Sequence, residues 1–224
     1  MPFQTQLLES GNRLPYALLE PSGRPSGAAP LIVFLHGTGE RGTGVGTLRR
    51  VFVHSLPFLA ESDRLPATVA GAPFPFLVAC PQIDRGDWID HAERMVGLVD
   101  ELCRRGAADP ARCSLTGISL GGTGCWELAA CAPGRFASIV PMSGRVRITD
   151  QTAEAPPAWV FHGTDDKRVS PEKAKAALAS HPDRPLTLTS FEPGGHEREV
   201  WNRFYSRPEL YEWILAQRAP VSSD

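Results

Sequence analysis

Short runs of apolar, β-branched and aromatic residues recur along the chain at 31–35, 76–80, 113–116, 138–142, 159–161 and 186–189. Most of them lack alternation of polar and apolar positions, which predicts strands covered on both faces. Residues 16–19 are read as an earlier strand. Between these runs the spacing changes. Met95, Val96, Val99, Leu102 and Cys103 fall on one face of a helix over 90–105, with Asp90 and Glu93 at capping-box spacing. Ser170 and Pro171 ahead of 172–178 predict an N-cap followed by proline at the first helical position. Pro208 opens a last helix over 209–218, and another helical run passes through Trp126, Leu128 and Ala129. Strands alternating with helices imply right-handed crossovers, hence an α/β fold with a mostly parallel sheet and helices on both faces.

Length and charge narrow the class. At 224 residues the chain is expected to form one domain, residues 1–224, large enough for a core that needs no staples. The stretch 21–27, rich in Pro, Gly and Ser, reads as a turn rather than a linker. With 23 basic and 25 acidic residues the net charge is −2, so there is no basic field to attract nucleic-acid phosphates. Five cysteines, an odd number without a C-x-x-C pair, predict neither a disulfide framework nor a metal site. Residues 1–10 lack the basic start and apolar run of a signal peptide, and no apolar stretch reaches the ~18–20 residues of a membrane span. The expectation is a cytoplasmic protein without membrane contact. The pattern assigns no oligomeric state.

The chemistry centres on Gly117-Ile118-Ser119-Leu120-Gly121, a G-x-S-x-G placed between a predicted strand and a predicted helix. Glycine two residues either side lets the chain turn sharply and lifts the serine hydroxyl clear of the sheet. The helix that follows aims backbone N–H groups at any oxyanion formed there. A serine hydroxyl needs a base, and the base needs an acid to hold its tautomer. His196, after Pro193-Gly194-Gly195 and just past the last strand, suits the base. His54, His91 and His181 have no comparable setting and read as structural or surface residues. Asp165 and Asp166 follow the strand at 159–161, and either can face the histidine. Serine, acid and histidine thus each lie just past a separate strand, at one edge of a parallel sheet. Leu35-His36-Gly37-Thr38-Gly39-Glu40-Arg41-Gly42 follows the first strongly apolar strand. Its Thr38 N–H can pair with that of Leu120 around an oxyanion, whereas His36 reads as a packed residue. No phosphate-loop motif is present.

With these segments assembled, the chain resembles the α/β-hydrolase superfamily, and within it the small lidless carboxylesterase, dienelactone-hydrolase and predicted-peptidase group. The residues that carry the likeness are 35–42, Cys80-Pro81-Gln82 with Trp88, 115–122, Phe161-His162-Gly163-Thr164-Asp165-Asp166, and Gly195-His196. The resemblance implies Ser119 as nucleophile, His196 as general base and Asp166, rather than Asp165, as the acid. It makes the N–H groups of Thr38 and Leu120 the oxyanion donors, and puts Gln82 and Trp88 near the mouth of the cleft, where packing is an equally good role for them. Two departures stand out. Relatives often carry a tryptophan three residues after the histidine, but here Trp201 comes five later, so that loop is rebuilt. Lys167 and Arg168 follow the acid where apolar residues are common.

The expectation is therefore a cofactor-free serine hydrolase, with no metal, that cleaves small-molecule carboxylic esters through an acyl-enzyme. With no lid insertion between Met142 and Trp159, its cleft is expected to be open. A peptidase or amidase would use the same groups, and a non-catalytic binding protein could keep the fold.

Overall fold

The structure is a computed structural model that describes residues 3–22, 27–148 and 155–220. Parts of the expected 21–27 turn and of the 142–159 segment lie outside these residues. Eight strands form one sheet: β1 (Phe3–Glu9), β2 (Pro15–Pro21), β3 (Ala29–Leu35), β4 (Leu77–Pro81), β5 (Ala108–Ile118), β6 (Ser138–Met142), β7 (Ala158–Gly163) and β8 (Leu186–Phe191). Their order is β1-β2-β4-β3-β5-β6-β7-β8. Only β1 on β2 and β2 on β4 pair antiparallel; every other neighbouring pair is parallel. A two-residue hairpin, Thr68–Val69 with Ala72–Pro73, stands apart from this sheet.

The unbroken apolar strands behave as expected for chains buried on both sides. In β3, Ile32 and Phe34 join one apolar cluster while Leu31, Val33 and Leu35 join the other. In β4, Val78 and Cys80 face the first and Leu77 and Ala79 the second. Helices α1 (Ser55–Glu61), α5 (Arg198–Tyr205) and α6 (Pro208–Ala216) cover the first face with Leu56, Leu59, Phe204, Tyr205, Leu210 and Tyr211. On the opposite face α2 (Ala92–Arg104), α3 (Leu120–Cys131) and α4 (Pro171–Ala179) contribute Met95, Leu98, Val99, Leu102, Leu128 and Leu178. Removing this apolar area from water is the main favourable term holding the layers together.

Several elements depart from the expectation. The capping box lies one turn earlier than Asp90 and Glu93: Asp87 and Asp90 form it, around a 3-10 turn at Trp88–His91 that leads into α2. Within that turn Trp88 is fully buried, and its Nε1 donates to the His36 carbonyl at 3.1 Å. Strand β1 escaped detection because it lies at the sheet edge, half exposed, and is recognised only by its pairing with β2. Helices α1 and α5 were also missed, although Val200, Trp201, Phe204 and Tyr205 sit at helical spacing and are all buried. The helix begun by Ser170 forms as read, its Oγ accepting the Lys173 N–H at 3.2 Å. Among the described residues no helix is long and apolar enough to cross a membrane.

Candidate active site

Ser119 sits in the turn from β5 into α3 with φ 52° and ψ −113°, a backbone conformation that costs an ordinary residue about 1–3 kcal/mol. Neighbouring glycines make this turn possible. A Cβ on Gly117 would stand 2.6 Å from the Gly121 carbonyl carbon, and one on Gly121 only 1.9 Å from the Leu35 oxygen. The Ser119 N–H donates to Met142 O at 2.9 Å, which ties the turn to β6.

His196 reaches this hydroxyl from the loop after β8. Its Nε2 lies 2.9 Å from Ser119 Oγ, and its Nδ1 lies 2.8 Å from Asp166 Oδ2. The loop is held against the end of β7 at Gly163, where a Cβ would stand 2.3 Å from the Gly194 oxygen. Asp165, the other candidate acid, instead clasps that loop: its carboxylate accepts the Gly194 N–H at 3.3 Å, while its own N–H donates to Gly194 O at 2.8 Å. The two adjacent aspartates serve different partners because the turn after β7, closed by the Asp166 N–H on Gly163 O at 3.3 Å, sets Asp165 against Gly194 and Asp166 against His196.

Asp166 is wholly buried at its side chain. Burial by itself would raise its pKa. Hydrogen bonds from His162 and His196, and from the backbone N–H groups of Val169 and Arg168 at 2.9 Å each, outweigh that and hold the carboxyl far below the usual range. His162 was not singled out in the sequence beyond its place in the His-Gly-x-x-Asp run. It flanks Asp166 Oδ2 at 3.3 Å and donates from Nε2 to Val169 O at 2.8 Å.

The hydroxyl opens into a cavity of about 360 Å³ lined by Gly37, Thr38, Glu40, Arg168, His196 and Trp201, among others. Thr38 and Leu120 each begin a helical turn, so their N–H groups have no partner within it. His36 is fully buried: burial lowers its pKa to about 4, against the opposing pull of its bond to Gly37 O. Its Nδ1 donates to that carbonyl at 2.6 Å and its Nε2 accepts the Ile83 N–H at 3.1 Å, so the neutral ring is a brace for the loop.

Gln82 and Trp88 do not line this cavity, which corrects their expected place at the mouth of the cleft. Gln82 is buried behind the loop, donating from Nε2 to Glu40 O at 2.7 Å and to Thr47 O at 3.0 Å, and Trp88 is wholly enclosed against Gly124. Each supports the Thr38 segment from beneath. Two residues read as structural or unplaced come close instead. Trp201, on α5, meets the His196 ring edge-to-face at 5.3 Å, and its Nε1 donates to Ser143 Oγ at 3.4 Å. His54 packs on the same indole and its Nε2 lies 3.1 Å from Glu40 Oε1. The pattern at 198–205 was the available signal for Trp201, whereas nothing local to His54 pointed to Glu40.

No family model and no curated protein sequence matches this chain. Solved structures do. A thermostable esterase superposes with a TM-score of 0.70 at 23% identity, covering 96% of this chain and 63% of that one, so the chain spans less than two thirds of that esterase. The fluorophosphonate-binding serine hydrolase F of Staphylococcus aureus gives 0.71 at 12% identity, over 96% and 99% of the two chains. The acylaminoacyl peptidase of Pyrococcus horikoshii gives 0.64 at 13%, over 100% of this chain and 43% of that one. The fold is therefore that of the α/β-hydrolases.

Proposed function

We propose that the protein is a serine hydrolase that cleaves carboxylic esters, with Ser119 as nucleophile, His196 as general base and Asp166 as the acid that orients it. The observation that carries this reading is the unbroken chain from Ser119 Oγ through both nitrogens of His196 to Asp166, at 2.9 and 2.8 Å. Asp166 stays ionised and accepts a hydrogen bond from Nδ1–H, which leaves the unprotonated Nε2 to take the serine proton as Oγ attacks the carbonyl. The N–H groups of Thr38 and Leu120 stabilise the tetrahedral oxyanion, each donor contributing about 3–4 kcal/mol to the barrier reduction. Protonated His196 then passes its proton to the leaving alcohol. Water activated by the same imidazole releases the acid and restores the serine.

Esters are favoured over amides because the cavity of about 360 Å³ at Ser119 opens to solvent, and amide cleavage demands tighter control of the leaving amine. The peptidase reading, which the likeness to the acylaminoacyl peptidase keeps in view, predicts ready turnover of acyl-peptide anilides, which the esterase reading leaves essentially uncleaved while matched esters turn over. A fluorophosphonate probe is expected to label Ser119, and Ser119→Ala to reduce 4-nitrophenyl acetate hydrolysis by several orders of magnitude. Labelling of folded protein at another serine, or near-wild-type turnover by the variant, refutes the assignment.

A further inference from the structure

We propose that a cationic cleft beside Ser119 binds a negative charge on the substrate, so that the preferred esters carry an anionic group near the scissile bond; this rests on the hydrolase reading above. A cavity of about 690 Å³ opens between the segment after β6 and the acid-bearing loop that leads into α4. It is continuous with the chemistry, since Arg168 and Val169 line both this cavity and the one at Ser119, and Asp166 forms part of its wall.

Arg145, Arg147, Lys167, Arg168 and Lys173 line it. Only Arg147 has a carboxylate partner among the described residues, Glu127 at 3.7 Å. The wall also carries two carboxylates, Asp166, held by its two histidines and two backbone N–H groups, and Glu172, which accepts the Ser170 hydroxyl at 2.7 Å, so the five cations outnumber the anions and leave the cleft net positive. In a chain whose net charge is −2, five cations converging on one cleft are not a reflection of composition. The protein walls concentrate the field of these cations inside the cleft, where it favours an anionic group on a bound ester.

The opposite side of the Ser119 cavity has the reverse polarity. Glu40 lines that side, nine-tenths buried, and although burial raises its pKa, the hydrogen bond and charge of His54 bring it below the ordinary value. A carboxylate on the substrate is repelled from Glu40 and drawn toward Arg145, Lys167 and Lys173. The charge asymmetry therefore orients the ester as well as retaining it.

The test compares matched pairs. On the acyl side, 4-nitrophenyl hydrogen adipate is set against its methyl ester; on the alcohol side, 4-acetoxyphenylacetate is set against its methyl ester. In at least one pair, kcat/KM at low ionic strength is expected to favour the anion by about tenfold, with the preference shrinking as salt screens the cleft. The triple variant Arg145→Ala, Lys167→Ala, Lys173→Ala, at exposed positions, is expected to lower that ratio at least fivefold. Equal or slower hydrolysis of the anion in both pairs, with Ser119 still labelled by fluorophosphonate, overturns the inference and leaves the hydrolase reading standing. A preference that survives the triple variant or high salt overturns it as well. Loss of labelling together with failure to cleave any of the four esters refutes the hydrolase reading, and the inference falls with it.

Discussion

Adding one methyl group at Gly121 tests how the elbow is built. The Cβ of a Gly121→Ala variant would lie 1.9 Å from the Leu35 oxygen, 2.5 Å from its carbonyl carbon and 2.9 Å from the His36 oxygen. All three atoms belong to the backbone of β3 and its continuation, so no side-chain rotation relieves the contact. Real Cβ atoms keep about 3 Å or more from such oxygens, and α3 and β3 must therefore separate by about 1 Å. Overpacking of this kind costs about 3 kcal/mol, at the upper end of its usual range because backbone rather than side chain has to yield. For a chain of this size that lowers Tm by roughly 6–12 °C. The same displacement moves the Leu120 N–H away from the Thr38 segment, and a misplacement of about 1 Å in a catalytic constellation costs about 100-fold in rate. Differential scanning calorimetry and 4-nitrophenyl acetate kinetics measure the two effects. Gly46→Ala serves as the control, since no atom beyond its own short helical turn and chain neighbours lies within 4 Å of the position its Cβ would take. If Gly121→Ala melts within a degree of wild type and turns over at an undiminished rate, the close approach of α3 to β3 described above is wrong.

Asp166→Asn keeps an oxygen for the Val169 and Arg168 N–H groups but presents an NH₂ to His196, shifting the imidazole proton to Nε2; esterase kcat is expected to fall by about 10⁴, and a loss under tenfold would show that Asp166 does not set the tautomer. Acid stability follows from the same carboxylate. Its folded pKa lies below the unfolded value of about 3.9, so its stabilising contribution is present above that value and is lost as pH falls through it toward the folded one. Urea midpoints between pH 5 and 2 should therefore fall more steeply for wild type than for Asp166→Asn, and parallel curves would contradict the assignment. Tyr205→Phe removes a hydroxyl that lies 2.8 Å from Thr116 Oγ1, itself bonded to Val140 O at 2.8 Å; a stability loss of about 1 kcal/mol by chemical denaturation is expected, and an unchanged midpoint would deny that this buried bond contributes.

The parallel sheet and the elbow were legible in the chain because both depend on local pattern. Strands buried on two faces need unbroken apolar runs, as in β3 and β4, and a serine lifted between strand and helix needs small residues two positions either side. The order of Ser119, Asp166 and His196 was readable for a related reason, since the parallel strands β5, β7 and β8 all bring their C-terminal ends to one edge. What the chain could not reveal depends on contacts between segments far apart in sequence. Edge strand β1 acquires its identity only from β2. Asp165 and Asp166 are chemically alike, and only the position of the loop at Gly194 gives one of them the imidazole and the other a clasp. Gln82 and Trp88 turn inward because Glu40, Thr47 and His36 present carbonyls beneath the Thr38 segment. The meeting of Arg145 with Lys167 and Lys173 around one cleft likewise requires the segments after β6 and β7 to lie side by side. Local sequence encodes backbone conformation and burial period, whereas the partner of a buried polar group is set by whichever distant element the packed layers bring within about 3 Å of it.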